Sequence, residues 1–357
     1  MDREGALSSG STLLNLACTD TPHYAFLKGC YYYVVGDSSS GKTFLAHTCF
    51  AEAVLNESFD KYRLIFDDVE GGALMDIERF FGRQVAKRIE SPAIKKGKPA
   101  SSDTIESFYH NIAEAIEDGR PFIYVLDSQD ALGSMQSAKK FRQQRRAMEE
   151  GQDSKGSYGD GKAKFHSEHI REVLSGLRKR KSILIILGQT RDNLGRSFEP
   201  KSRSGGKALR FYANTEIWTS LAGKLKRRVR GTARTIGVRC LAEVKKNRVT
   251  GKIGKDRAIT IPIYYDYGMD DVGSCVDFLI EEGHWRKAKK KKDGEDTNDE
   301  TKKKLYEAPE LLFSGSREQI VRYVEEEGME RKLRELAAKL WEEIEAECVS
   351  HRKKRYE

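Results

Sequence analysis

The segment Gly36-Asp37-Ser38-Ser39-Ser40-Gly41-Lys42-Thr43 fits the pattern G-x-x-x-x-G-K-[S/T], in which residue type and spacing together specify chemistry. Its glycines let backbone N–H groups turn inward around phosphate oxygens, and the helix that follows points its positive end at them. Lys42 would reach the β- and γ-phosphates of a nucleoside triphosphate, and the Thr43 hydroxyl would ligate Mg2+. The implied cofactors are ATP and Mg2+. Asp127 closes the apolar run Phe122-Ile123-Tyr124-Val125-Leu126, where a carboxylate would hold the metal's shell; an Asp ending a strand for turn reasons alone is the competing reading. Beyond Leu64-Ile65-Phe66 stand Asp67, Asp68 and Glu70. Glu70 is the candidate to orient or deprotonate an attacking water, with Asp67 and Asp68 as competitors. Gln189 follows Ile183–Leu187, where an amide would sense the γ-phosphate or help place water.

Such a site needs strands that end together on one edge of a sheet. Short apolar runs alternating with helix-patterned stretches predict a parallel sheet with helical crossovers. Tyr31–Val35, Leu64–Phe66, Phe122–Leu126 and Ile183–Leu187 read as its strands, with helices over about 43–55, 104–117 and 166–180. Thr215–Leu221, Ile236–Val244 and Ala258–Tyr264 alternate as antiparallel strands do. Residues 133–163 are polar, Gly-rich and basic, too long for a plain connection, and read as a functional or mobile loop. Residues 286–304 read as a charged flexible linker. After it Ser316 can cap a helix, and Leu333, Leu336, Leu340, Trp341 and Ile344 share one helical face. The expected fold is therefore α/β: a P-loop core over 1–285 with a mostly parallel central sheet and added antiparallel strands, then a small helical C-terminal domain over 305–357.

Bulk properties narrow the class. No apolar run approaches the ~18 residues that span a bilayer, and no apolar signal core follows the N-terminus, so a cytoplasmic protein without membrane contact is expected. The six cysteines contain no C-x-x-C pair, which argues against a zinc site or a disulfide framework. Lys plus Arg outnumber Asp plus Glu by 64 to 55, a surplus suggestive of a polyanion.

With these elements in order, the chain resembles the RecA/RadA recombinases, most closely the bacterial RecA type, and looks like a phage-encoded relative. The resemblance runs from about Ser9 to Trp285. Ser39-Ser40-Gly41-Lys42-Thr43 is similar to the family's S-S-G-K-T loop, Asp68-Val69-Glu70 to its D-A-E catalytic motif, and Asp127-Ser128 to its D-S. Gly188-Gln189-Thr190-Arg191 resembles the N-Q-I-R that opens the second DNA-binding loop, and Ser204-Gly205-Gly206-Lys207-Ala208-Leu209-Arg210-Phe211-Tyr212-Ala213 the segment that closes it. Val244-Lys245-Lys246-Asn247-Arg248 is similar to V-K-N-K. The resemblance implies that Lys246 and Arg248 reach the ATP of a neighbouring subunit and neutralise charge as the γ-phosphoryl leaves. The chain departs from the family in four places: Arg248 stands where the family has Lys, the region of the first loop is expanded, the stretch before Ser9 is shorter than the family's N-terminal helix and strand, and the helical tail follows a much more charged tether than is usual.

Nucleic acid would meet the two loops, at about 133–163 and 190–207. Candidate contacts in the second are Arg191, Arg196, Phe198, Lys201, Arg203, Gly205, Gly206 and Lys207, with Phe198 able to stack on bases. The first offers Lys139, Lys140, Arg142, Arg145 and Arg146, with Tyr158 as a weaker stacking candidate. A third basic cluster, Lys224 to Arg234, reads as a hairpin connection. The expected function is a DNA-dependent ATPase that binds single-stranded DNA and promotes pairing and strand exchange with homologous duplex DNA, self-associating as a filament or ring. The competing expectations are a helicase or loader on the same core, and a nucleotide-gated binding module with little turnover.

Overall fold

In the computed structural model, residues 5–72, 74–149, 162–192, 201–203, 206–288, 304–353 and 355 are described. Helix α1 (Thr12–Thr19) precedes β1 (Tyr31–Gly36), the phosphate loop and α2 (Lys42–Val54). Next come β2 (Arg63–Asp68), two short helices α3 (Ile77–Phe81) and α4 (Arg83–Arg88), and three short strands β3 (Ile89–Glu90), β4 (Ala93–Lys95) and β5 (Lys98–Ala100). They lead to α5 (Ile105–Glu117), β6 (Phe122–Asp127), α6 (Met135–Glu149), α7 (Lys162–Arg180), β7 (Ile183–Asp192) and β8 (Lys201–Arg203). Helix α8 (Gly206–Tyr212) then opens a run of strands, β9 (Thr215–Val229), β10 (Thr232–Asn247), β11 (Ala258–Tyr264) and β12 (Gly268–Met269), followed by α9 (Asp271–Glu281). The C-terminal part is a hairpin, β13 (Leu305–Ala308) and β14 (Phe313–Ser316), with α10 (Arg317–Glu326) and α11 (Glu330–Glu347).

The ten-stranded sheet has the order β12-β11-β10-β9-β1-β7-β6-β2-β3, with β8 added to β7. Strands β9, β1, β7, β6, β2 and β3 are parallel, while β10, β11, β12 and β8 run antiparallel to their neighbours. The fold is thus α/β with a mostly parallel centre and added antiparallel strands, as the sequence predicts. The centre reads as continuous apolar runs because both faces are covered. Along β1, Tyr32 and Val34 enter one core with α2, α9 and α11, whereas Tyr31, Tyr33 and Val35 enter the other with α5 and α7.

Of residues 133–163, expected as a loop, those described are largely helical, and 150–161 lie outside the described residues. Met135–Glu149 forms α6 and α7 begins at Lys162. The α6 sequence is rich in Lys, Gln, Arg, Met and Ala, all strong helix formers, and the Ser134 hydroxyl accepts the Ser137 N–H at 3.0 Å near its start. Tyr158 lies outside the described residues.

Either side of the charged stretch the backbone pairs. Ala288 N–H donates to Leu305 O (3.0 Å) and Glu307 N–H to Arg286 O (2.9 Å); residues 289–303 lie outside the described residues. Helices α10 and α11 join the larger core, Trp341 packing 6.1 Å from the Phe278 ring. Ser316 caps α10 in a capping box with Gln319. Beneath α11, the fully buried Arg257 is paired with Asp20 at 2.6 Å and with Glu345. No helix among the described residues is long and apolar enough to cross a membrane.

Candidate nucleotide and nucleic-acid site

The phosphate loop leaves the carboxyl end of β1 and enters α2 through Gly41, whose φ of 88° puts it in the left-handed region that glycine adopts without penalty. Gly36 is held by close approach: a Cβ there would lie 2.1 Å from Thr219 Oγ1 on β9. Ser40 donates to the Asp37 carbonyl (2.8 Å), lies 2.7 Å from Thr219 Oγ1, and its own carbonyl accepts from the Cys240 thiol (2.8 Å). The loop thus rests on β9 and β10.

Lys42 folds over the loop, its Nζ donating to the carbonyls of Gly36 (3.0 Å) and Asp37 (2.7 Å). Burial lowers its pKa from the usual lysine value, opposed by the carboxylates of Asp127, Glu70, Asp37 and Asp130. The Thr43 hydroxyl donates to Asp127 Oδ2 at 2.6 Å. Burial pushes the Asp127 carboxyl up to about 6, with Glu70 and Asp68 adding to the shift and the Thr43 hydroxyl opposing it. A carboxylate against a threonine hydroxyl at a helix N-terminus is a donor set of hard oxygens that suits Mg2+. No group of three or more His, Cys, Asp or Glu able to hold a metal occurs among the described residues. When bound, ATP with Mg2+ would supply the phosphoryl group, held by Lys42 and Thr43.

The three acids after β2 separate. Asp67 is fully buried and accepts from Ser102 N–H (2.8 Å), the Ser102 hydroxyl (2.6 Å) and the Tyr124 hydroxyl (2.7 Å), which makes it a tie within the core. Asp68 is half-buried, near enough to Asp127 to raise its pKa. Glu70 is exposed, and its Oε1 accepts from the Ser128 hydroxyl at 2.5 Å and from the Gln189 side-chain amide at 2.9 Å. Glu70, Gln189 and Asp127 therefore meet at one edge of the sheet, beside Lys42 and Thr43. The Gln189 backbone N–H donates to Asp130 (2.7 Å), a carboxylate that sequence reasoning passed over although it lies in the same Leu126–Asp130 run.

The described residues that flank the second loop, on β7 and β8, contact this site. Thr190 on β7 and Lys201 on β8 both bond the Asp37 carboxylate of the phosphate loop, and Lys201 foremost holds that carboxyl below its usual range. Arg203 pairs with Glu216 at 3.4 Å, Arg210 joins the same buried carboxylate at 3.2 Å, and Arg191 lies 3.9 Å from Asp130. Lys207 and Gly206 begin α8 and line a cleft of about 730 Å³ with Lys201, Arg203 and Asp37. Arg196, Phe198 and Gly205 lie outside the described residues.

Lys246 and Arg248 sit at the other end of the sheet. β1 pairs Gly36 with Thr219, while Lys246 pairs with Glu216 near the N-terminal end of β9. Lys246 Nζ donates to the carbonyls of Arg210 (2.5 Å) and Phe211 (2.8 Å), and Arg248 to that of Phe211 (2.7 Å), so both cap the C-terminus of α8. Burial, reinforced by the Arg248 charge, brings Lys246 down to about 8. With Arg203, Lys207, Arg210 and Lys245 they line a cleft of about 660 Å³ that no carboxylate lines.

Strand, glycine turn, helix and strand-end carboxylate together define a P-loop nucleoside-triphosphate-binding core. A RecA N-terminal domain model matches residues 144–270. The RecA protein of Chloroherpeton thalassium is 27% identical over 300 residues, covering 80% of this chain and 73% of that protein. The RecA protein of Enterococcus faecalis is 26% identical over 320 residues, covering 87% and 81%. A crystal structure of the RadB recombinase superposes with a TM-score of 0.48 and 17% identity over 74% of this chain and 99% of that one. The chain is thus similar in sequence to RecA proteins along most of its length.

Proposed function

We propose that this protein is a DNA-dependent ATPase that binds single-stranded DNA and promotes homologous pairing and strand exchange, hydrolysing ATP at the interface between successive copies. The observation that carries the reading is the opposition of the two cationic sites across the sheet. On β9, Thr219 touches the phosphate loop, and Lys246 pairs with Glu216 three residues before it, about 10 Å back along the strand at the rise of an extended chain. A lysine side chain, reaching roughly 6 Å, does not cover that span, which supports a role for Lys246 and Arg248 toward the triphosphate of a neighbouring copy rather than their own. An interface of this kind is head-to-tail and builds a ring or a filament.

Within one copy, Glu70 is the base or water-orienting carboxylate, steadied by Ser128 and Gln189. Lys42, with Lys246 and Arg248 from the neighbour, offsets the charge that grows on the transferring phosphoryl group. The 133–163 and 190–207 segments carry the DNA, through α6 cations in the first and Arg191, Arg203 and Lys207 in the second. Charged residues 286–304 tether the C-terminal helices.

The test is ATP turnover with and without single-stranded DNA, beside strand-exchange and duplex-unwinding assays. The expected result is stimulation by single strands and pairing of homologous duplex. Vigorous unwinding without pairing would replace the recombinase reading with a helicase. Tight ATP binding with background turnover at saturating single-stranded DNA would leave a nucleotide-gated binding module.

A further inference from the structure

Strands β9 and β10 outrun the sheet. β1 ends opposite Thr219, and β11 ends where Tyr264 pairs with Gly237, yet β9 and β10 continue to pair with each other from Lys226↔Thr235 to Val229↔Thr232. The result is an exposed two-stranded ribbon that projects from the edge carrying the phosphate loop. Lys224, Lys226, Arg227, Arg228, Arg230 and Arg234 line it, and no acid occurs between Leu221 and Glu243.

Two placements set this charge apart from an ordinary solvated face. Arg227 and Arg234 are directly opposite in the register, and like charges at such a pair weaken a ribbon that has little else to hold it. Arg230 occupies the first position of the turn at φ 50°, followed by Gly231 at φ 78°. A turn with two positive φ values favours Asn, Asp or Gly at that first position, so an arginine there places charge at the ribbon's tip against the backbone's preference. The repulsion between the facing arginines is relieved when an anion lies between their guanidinium groups, and the Arg230 side chain at the tip adds a further cation to the same face of charge. The residues from Ala222 to Val238 include no aromatic side chain, so the ribbon has nothing on which an unpaired base could stack. A two-stranded ribbon does fit the major groove of a duplex, about 12 Å wide, with its cations toward the phosphates.

We propose that the ribbon from Lys224 to Arg234 is a duplex-DNA-binding arm, separate from the two loops. This rests on the reading that the protein acts on DNA and names the surface that takes the double strand. Its position beside the phosphate loop puts the duplex on the nucleotide-bearing edge of the sheet.

The test is fluorescence anisotropy of a labelled blunt duplex and of a single strand of the same length, across a salt series, without nucleotide. The variant is Arg227→Ser/Arg230→Asn/Arg234→Ser, in which Asn suits the turn and the Ser pair removes the facing charges. The expected result is a duplex affinity at least about tenfold weaker near 0.1 M salt and a log–log salt slope shallower by about 3, with single-strand affinity within about twofold. A charge-conserving Arg227→Lys/Arg234→Lys variant retains most of the duplex affinity. Unchanged duplex binding by the triple variant overturns the proposal, as does parallel loss of single-strand binding. ATP turnover stimulated by single strands reports on the proposed function and stays at the parent level in the triple variant, which keeps the two readings distinguishable.

Discussion

Mixing two inactive variants tests whether the ATP site is shared between copies. Lys42→Ala removes the cation that folds over the phosphate loop, and Lys246→Ala removes one at the far end of the sheet. Each alone is expected to lose DNA-stimulated turnover by about 10³-fold or more, the scale of removing a cation that stabilises transferring phosphate. If the two residues act on one triphosphate from different copies, a productive interface needs its loop from a Lys246→Ala subunit and its Lys246 from a Lys42→Ala subunit. In an equal, random, head-to-tail mixture that arrangement arises at about one interface in four. Turnover of the co-assembled mixture should therefore recover to roughly a quarter of the parent level, and fall off on either side of an equal ratio. The assay is steady-state ATP turnover with single-stranded DNA after the variants have been mixed without nucleotide. A mixture no more active than its components would refute the reasoning, as would Lys246→Ala turning over at the parent rate.

The Asp127 carboxyl, at about 6, must lose its proton to help hold Mg2+. Mg2+-dependent nucleotide affinity should therefore weaken about tenfold per unit of pH below that value, and Asp127→Asn should flatten the dependence, as read by titrating a fluorescent ATP analogue. Glu70→Gln should bind ATP normally but turn it over about 10² to 10⁴ times more slowly in a single-turnover assay. Asp67→Asn should instead lower stability by ~1–3 kcal/mol in urea unfolding while the folded fraction keeps its turnover, since an amide forces a donor onto a hydroxyl or N–H. Trp341→Ala should cost ~3–5 kcal/mol by the same measurement, because the side chain is buried between α11 and the core.

The parallel centre of the sheet was legible because strands covered on both faces must be apolar throughout, as in Tyr31–Val35 and Ile183–Leu187. The phosphate loop was legible because its backbone geometry demands glycine at fixed positions. Helix α6 was not, since Met135–Glu149 is polar on nearly every side and leaves no apolar period; propensity alone argued for it. The length of the β9–β10 ribbon was missed for a related reason: beyond Leu225 it buries no face, so alternation stops while pairing continues. For the acids after β2 a usable signal was present. Ile65 and Asp67 share the face of β2 that packs on α5, while Leu64 and Phe66 face the α2 side, and that two-residue period assigns Asp67 to the core. Pairings such as Lys201 with Asp37 depend on two segments distant in the chain and leave no local trace.

Those distant pairings suggest how nucleotide and DNA would influence each other under the proposed function. Strands β7 and β8 bracket the second loop, and both end on the phosphate loop: Thr190 and Lys201 occupy the two oxygens of Asp37. One residue earlier, Gln189 holds Glu70. An ammonium seated on Asp37 is not free to meet a phosphate of DNA, so a strand that draws Lys201 away leaves Asp37 to Thr190 and the nearby Lys42 alone. Conversely, a triphosphate that draws Lys42 off the carbonyls of Gly36 and Asp37 alters the loop on which Thr190 and Lys201 are seated. Each ligand then changes the free energy of binding the other, and the coupling is reciprocal by linkage whichever binds first. The contacts that transmit it are local to one β7–β8 hairpin, so no rearrangement of the sheet is required.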